Sequence, residues 1–351
     1  MRDKKELFAG CLLGGAIGDA LGYPVEFMKY SKILEEFGAE GITELKINQE
    51  KNKAIISDDT QMTLFTADGL IWAYERMRDR GSGSYTGSGI YQSYLRWYYT
   101  QTGVVIDEFW LKKQPHEEFR DDSNYPKSIL DHKELFERRT PGPSCLNALS
   151  SGEMGTIERP INNSKGCGGI MRVAPIGVFL HKNPEEAFQV GAEVAAITHG
   201  HPTGYLAAGT LACIIAEFIN GRTILESINS AIEILKGYSR HEETLKALEK
   251  AIDYAKDEEK TGYEVVKKLG QGWVAEEALA IAVYCALKNK DFKSALIMAV
   301  NHDGDSDSTG AICGNILGAA YGRRFIPEEW IDKIELKEFM EELGDRLCNL
   351  A

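Results

Sequence analysis

The chain has 351 residues, with 40 Lys and Arg against 53 Asp and Glu, a formal charge of −13, and 43% apolar residues. That apolar content is too high for a disordered chain, and the acidic balance offers no basic field to attract nucleic acid or an anionic membrane. Glycine is over-represented, 35 residues against an ordinary share of about 7%, yet it does not recur at every third position, which excludes a collagen-like repeat.

Residues 5–21 read as an apolar helix rather than a signal peptide. Asp19 interrupts the run, Gly14 and Gly15 lie in its middle, and no small-residue cleavage site follows. No window of 18 residues is apolar and free of charge, so no membrane span is expected. Residues 60–78 carry apolar side chains at 62, 64, 65, 67, 70, 71 and 74, a helical period. A break rich in Gly and Ser follows at 78–89, then an aromatic helix over 90–99. From 101 to 170 the periodicity weakens, and the proline-bearing strings QPHEEFRDDSNYPKS and ERRTPGPS mark long loops around short helices, one of them at 144–152.

Further helices are expected over 184–197, from Pro202 to near Gly221, and over 225–235, 240–256, 273–288, 292–300 and 308–321, with one or two more in 328–347. The β-branched runs at 42–47 and 54–57 are too short and isolated for a sheet. Strand and helix do not alternate and no fixed period recurs. The reading is one large all-α domain over 1–351, with a surface-lying insertion at 78–143. Seven cysteines, odd in number, dispersed and never in a CxxC pair, fit reduced thiols of a cytoplasmic protein rather than disulfides or structural zinc.

Glycines fall at 10, 14, 18 and 22, and again at 310, 314, 318 and 322. Spacing of four places each set along one side of a helix. Each such glycine costs about 1 kcal/mol relative to alanine, and close approach of a second backbone is the usual compensation. Dense core packing alone would explain the ladders. Their acidic neighbours, Asp19 and Glu26 beside the first and Asp305 and Asp307 before the second, point further, to two helices pressed together to hold something near their ends.

ISDDTQM (56–62) and NHDGDSDSTG (301–310) each place carboxylates and hydroxyls just before a helix. One such residue is a cap; four aspartates repel one another unless a cation lies among them. Oxygen donors without histidine pairs suit a hard cation, Mg²⁺ or Mn²⁺, rather than zinc. Alternation of Asp305 and Asp307 would direct both inward if the approach to the helix were extended. An EF-hand does not fit, since no Glu stands at the twelfth loop position. KGCGGIMRVAP (165–175) is a glycine cluster able to present backbone N–H groups to an anion, with Arg172 following, or an ordinary loop. ITHGHPTG (197–204) sets His199 before a helix, as a cap or a substrate contact.

In order, GCLLGGAIGDALGYPVEF, SDDTQM, GCGGIMRVAPIG, THGHPTG and GDSDSTGAICGNILGAAYG resemble the ADP-ribosylglycohydrolase family, from about residue 7 to residue 322. The resemblance implies a compact all-α fold with a binuclear centre of two Mg²⁺ or Mn²⁺. It places the family's Thr/Ser-Asp-Asp triplet on Ser57, Asp58 and Asp59, and its second ligand segment on Asp305, Asp307 and Ser308. The glutamate beside metals and distal ribose matches Glu26. The loop around ribose and pyrophosphate matches Gly166, Cys167, Gly168, Gly169, Met171 and Arg172, with His199 as a neighbouring substrate contact. Ser57 and Ser308 stand where threonine is frequent and keep the hydroxyl; Cys167 stands where asparagine is common and loses one polar contact.

The implied reaction is hydrolysis of the N-glycosidic bond between the distal ribose and a protein arginine, releasing ADP-ribose. Glu26 would position substrate or move a proton, with Asp59 as the alternative base. Protection against an ADP-ribosylating toxin is one role such an enzyme serves. Hydrolysis of ADP-ribosylserine or O-acetyl-ADP-ribose, and metal-dependent ADP-ribose binding without catalysis, stay open as alternatives. The expected partner is an ADP-ribosylated protein, not nucleic acid or membrane, and a monomer is the default.

Overall fold

The computed structural model describes residues 3–81, 88–108, 111 and 128–351. Residues 82–87, within the expected glycine-serine break, and most of 109–127 lie outside that set.

The first glycine ladder lies on helix α1 (Lys4–Gly22) and the second on the helix Ser306–Tyr321, and these two make the most extensive pairing of any described elements. They run antiparallel with backbones in contact. A Cβ on Gly14 would lie 2.3 Å from Gly314 O, and one on Gly18 would lie 2.0 Å from Gly310 O. Gly10 faces Gly318 in the same way. Asn315 fastens the pair by donating from its side chain to Cys11 O at 2.8 Å. The outer rungs close the ladder. Gly22 continues the register against Ser306, where a Cβ would lie 2.2 Å from Ser306 O, and Gly322 ends its helix at φ +86° with its carbonyl carbon 2.6 Å from where a Cβ on Gly10 would be.

The remaining helices enclose this pair. After α1 come α2 (Tyr30–Phe37), α3 (Asp58–Arg80), α4 (Ser88–Thr102), α5 (Pro143–Ser150), α6 (Ala174–Phe179), α7 (Pro184–Ala196) and α8 (Pro202–Ile219). Then follow α9 (Ile224–Leu235), α10 (Glu242–Lys256), α11 (Tyr263–Leu269), α12 (Ala275–Lys288), α13 (Phe292–Val300), α14 (Ser306–Tyr321), α15 (Glu328–Ile331) and α16 (Lys337–Leu350). α7 and α8 pack together, α12 bridges α10 to α14, and α16 lies across α1 and α3. Local chemistry sets many of the starts: Pro184 and Pro202 open their helices, and Thr223 with Glu226 forms a capping box at α9.

Three short helices escape the sequence reading, α2, α6 and α11; α6 is only six residues long. α2 buries only Ile33, and α11 spans seven residues between Gly262 and Gly270, so neither carries a sustained apolar period. The isolated β-branched runs do form a minimal antiparallel hairpin, Ile47–Asn48 with Lys53–Ala54.

The described parts of 78–143 are mixed: residues 102–105, 107–108 and 136–138 are exposed, whereas most of α4 is buried. Ile90, Tyr94 and Trp97 of α4 are buried against α3, where Arg96 pairs with Asp68 at 2.6 Å. Ile129, Leu135 and Arg139 are buried as well. Aromatic side chains and long-range ion pairs draw this stretch inward despite its prolines. Lys4–Val25 and Pro202–Ile219 are long and apolar enough to cross a membrane, but 89% and 94% of their apolar windows are buried inside the fold. All seven cysteines are free.

Candidate metal centre

The antiparallel packing of α1 and α14 sets the C-terminal end of one against the N-terminal end of the other. At that end α14 opens with Asp305 as its cap, Asp305 Oδ1 accepting from Ser308 N at 3.3 Å. Asp307 follows in the first turn and accepts from the same N–H at 3.0 Å. Helix α3 opens beside it in the same manner, with Ser57 as cap, its Oγ accepting from Asp59 N at 3.2 Å. Asp58 and Asp59 lie in its first turn. The aspartates therefore converge from two helix N-termini, whose positive dipole ends favour carboxylates. The extended approach expected at 305–307 is not used, because Asp307 is already helical.

Among the described residues, donor atoms of Glu26, Asp305 and Asp307 lie within 4.8 Å of one another, a triad able to hold one cation. Asp58 and Asp59 adjoin it: the Asp307 charge acts on both. Burial, reinforced by repulsion from Asp307, raises the carboxyls of Glu26, Asp58, Asp59 and Asp305 well above their usual range, and burial raises that of Asp307. Asp59 Oδ2 is buried with no hydrogen-bond partner. Crowded oxygen donors, mutual repulsion and an orphaned carboxylate oxygen are what a hard divalent cation would relieve. The residues fit such an ion.

The support comes from Asp19, noted in the sequence beside the first glycine ladder, and from residues that no motif marks. Asp19, the lone charge in the apolar stretch of α1, is fully buried and accepts from Ser57 N with both oxygens at 3.0 Å, and from Thr60 N at 3.1 Å and the Thr60 hydroxyl. It holds the start of α3 against α1. A turn at 139–142 encloses the other side. Asp58 N donates to Arg139 O, Gly142 N donates to Asp58 Oδ2 at 3.2 Å, and Thr140 Oγ donates to Glu26 Oε2 at 3.2 Å. Arg139 anchors that turn through a buried ion pair with Glu335 and a 2.8 Å bond to Ile56 O. Phe27, next to Glu26, has φ +66°, is 66% exposed and stacks on Trp273 at 5.1 Å.

The glycine loop borders the cluster from the opposite flank. Cys167 N donates to Trp273 O, and Cys167 Sγ lies 2.7 Å from Asp305 Oδ2. Gly166, Gly168 and Gly169 pack against the His199 ring, where a Cβ on Gly168 would lie 3.0 Å from its Cε1. His199 is thus buried behind the loop, bonded to the Thr198 hydroxyl and held neutral, with its pKa pushed down to about 3 by burial and the Arg172 charge. Met171 is buried too. Arg172 departs most from expectation. Its guanidinium is fully buried, donating to Thr198 Oγ at 2.7 Å and Val194 O at 3.3 Å, and lying 4.3 Å from the Tyr94 ring centroid. It supports the loop from the core rather than reaching an anion.

Two predictions arise from this geometry. Asp19→Ala should lower Mn²⁺ affinity about 10- to 100-fold in calorimetric titration, the usual cost of losing a group that orients ligands; unchanged affinity would remove Asp19 from the site. The second concerns pH. These carboxyls are raised in the folded state, so folding takes up protons once pH exceeds the unfolded carboxylate range. In EDTA their stability contribution is present in acid and is lost as pH rises through the folded values, about 7 for Asp19. A cation binds the ionised form. The gain in Tm from Mn²⁺ should therefore be larger at about pH 8 than at about pH 5, and a pH-independent gain in thermal melts would contradict this.

A model of the ADP-ribosylglycohydrolase family matches residues 1–351, and the chain belongs to that family. It is 26% identical over 336 residues to the ADP-ribosyl-[dinitrogen reductase] glycohydrolase of Rhodospirillum rubrum, covering 93% of this chain and 90% of the relative. It is 25% identical over 347 residues to an ADP-ribosylarginine hydrolase of Serratia proteamaculans, covering 97% of this chain and 79% of that one. A solved structure titled as an ADP-ribosylglycohydrolase-related protein complex superposes with a TM-score of 0.68 at 23% identity, covering 100% of this chain and 99% of its own, which establishes the shared all-α fold.

Proposed function

We propose that this chain is a divalent-cation-dependent hydrolase that removes ADP-ribose from modified arginine on a protein. The supporting observation is that donor atoms of Glu26, Asp305 and Asp307 lie within 4.8 Å of one another, with the charge of Asp307 also bearing on Asp58 and Asp59. Similarity to an ADP-ribosylarginine hydrolase and to the dinitrogen-reductase glycohydrolase favours the arginine linkage. The seven free cysteines suit a reducing compartment such as the cytoplasm.

Glu26, Asp305 and Asp307 would hold one Mg²⁺ or Mn²⁺, with Asp58, Asp59 and the hydroxyls of Ser57 and Ser308 as donors for a second; such ions supply Lewis-acid polarisation of ribose hydroxyls and water. The bond between C1 and the guanidine nitrogen breaks, one water is consumed, its hydroxyl joins C1, and its proton reaches the departing nitrogen. Glu26, with Oε2 held by Thr140, is placed to carry that proton. The clustered carboxylates favour positive charge developing at C1. The segment Gly166–Gly169 lies against the same cluster through Cys167 and is assigned to the ADP-ribose moiety.

Glu26→Gln should lower kcat by about 10²- to 10⁴-fold while the Tm changes little, and full activity in this variant would remove Glu26 from catalysis. Time courses on arginine-linked and serine-linked ADP-ribosyl peptides test the linkage. Faster release from the arginine peptide supports the proposal, and preference for the serine peptide overturns it in favour of an O-glycosidic hydrolase.

A further inference from the structure

Phe27 occupies a place that neither turn chemistry nor burial explains. Glu26 has φ −50° and ψ 138°, Phe27 has φ +66°, and Met28 N donates to Val25 O at 3.0 Å, which makes residues 25–28 a type II β-turn. Glycine or asparagine is the usual residue at the third position of such a turn, and a bulky side chain there is strained. Burial does not offset the strain, since Phe27 is 66% exposed. What the ring touches is Trp273, stacked at 5.1 Å with 24° between the planes.

Trp273 is half-buried and firmly held. Its carbonyl accepts from Cys167 N at 3.2 Å, and two residues earlier Gln271 O accepts from Asp305 N at 2.8 Å. Glu277 accepts from Gln271 N at 2.9 Å and from Gly272 N at 3.3 Å. A Cβ on Gly272 would lie 3.3 Å from Asp305 Cβ. Beyond the turn, Asp303 Oδ1 accepts from Tyr30 N at 2.7 Å. The aromatic pair therefore joins the segments that carry Glu26, Asp305 and the glycine loop.

We propose that the Phe27–Trp273 pair is the platform for the guanidinium of the modified arginine, and so sets the linkage that the hydrolase accepts. This rests on the arginine-directed activity proposed above. A guanidinium is planar and weakly hydrated, keeps its positive charge when one nitrogen carries ribose, and stacks on aromatic faces. Glu26 must reach the departing nitrogen, which places the rest of the guanidinium beside the residue that follows Glu26. A serine linkage or an acetyl ester offers this surface no flat cation.

The test is inhibition of ADP-ribose release from an arginine-linked peptide by N-acetylarginine amide, with N-acetylcitrulline amide as the uncharged analogue. In the unmodified, Mn²⁺-loaded chain the arginine amide should compete about 3- to 30-fold more strongly than the citrulline amide. This comparison needs no variant. Phe27→Gly suits the turn and should keep the fold, read as a retained thermal transition. It should raise KM for the arginine-linked peptide about 3- to 30-fold with kcat little changed, and erase the preference between the two amides. Phe27→Tyr keeps the ring and should restore both. Equal inhibition by the two amides, an unchanged KM in Phe27→Gly, or an equal rise on a serine-linked peptide overturns the platform. The hydrolase reading then stands if the unmodified chain releases ADP-ribose from the arginine-linked peptide. No release from that peptide by the unmodified chain overturns both.

Discussion

Asp305→Asn is expected to reduce ADP-ribose release by more than about a hundredfold, beyond the 10- to 100-fold typical when a supporting group is lost. Asparagine is chosen because it caps a helix as well as aspartate does, so the bond to Ser308 N that starts α14 is preserved. What changes is the charge. Asp305 is buried, repelled by Asp307, and part of the triad with Glu26. Removing its charge relieves repulsion in the metal-free protein and removes a donor from the metal-bound one. In EDTA at about pH 8 the variant should therefore melt no lower than the unmodified chain, while its Tm gain with Mn²⁺ shrinks or vanishes. Full activity with an undiminished Mn²⁺ gain would show that Asp305 is only a cap.

Gly14→Ala, and separately Gly314→Ala, should destabilise the fold by about 3 kcal/mol or prevent folding, the upper range for overpacking. The sign matters, because glycine to alanine in an open helix gains about 1 kcal/mol. Here the added methyl meets backbone, not a side chain that can rotate away. It would lie 2.3 Å from Gly314 O in the first variant and 1.9 Å from Gly14 O in the second. Relief requires α1 and α14 to separate. Asp19 and Glu26 travel with α1 or the turn after it, and Asp305 and Asp307 with α14, so separation also opens the metal centre. Denaturant titration should show the lost stability, and Mn²⁺ titration of whatever remains folded should show weaker binding. Unchanged or increased stability would contradict the packing described for the pair.

These two variants mark what was legible in the sequence. Spacing of four along each glycine set predicts a shared face, and the contacts at Gly10, Gly14 and Gly18 with Gly318, Gly314 and Gly310 follow from it. Gly22 keeps the same close approach, to Ser306, whereas Gly322 ends its helix at φ +86°, since period alone does not say where a helix ends. The acidic strings at 57–59 and 305–308 were readable because each crowds carboxylates where one cap suffices. Asp19 stands out beside the first glycine ladder, but the bonds by which it supports the site were not readable. Asp19 is a single charge in an apolar run, and its partners are 38 and 41 residues away.

The turn at 139–142 reads as an ordinary proline-glycine loop. Its role depends on Arg139 meeting Glu335, a pairing no local pattern reveals. Arg172 illustrates the opposite error. An arginine after a glycine cluster has the chemistry of an anion binder, but Tyr94 and Thr198 take its guanidinium into the core. Burial of a charged side chain is set by long-range neighbours.

The carboxylates gathered at two helix N-termini make cation dependence the decisive property of the proposed ADP-ribosyl hydrolase site. Release of ADP-ribose from an arginine-modified peptide by the purified chain tests it most directly, with Mg²⁺ or Mn²⁺, then with EDTA, then after Mn²⁺ is restored. Release with cation, loss in EDTA and recovery on adding Mn²⁺ are predicted. Release that proceeds undiminished in EDTA, or no release under any of these conditions, would contradict the account.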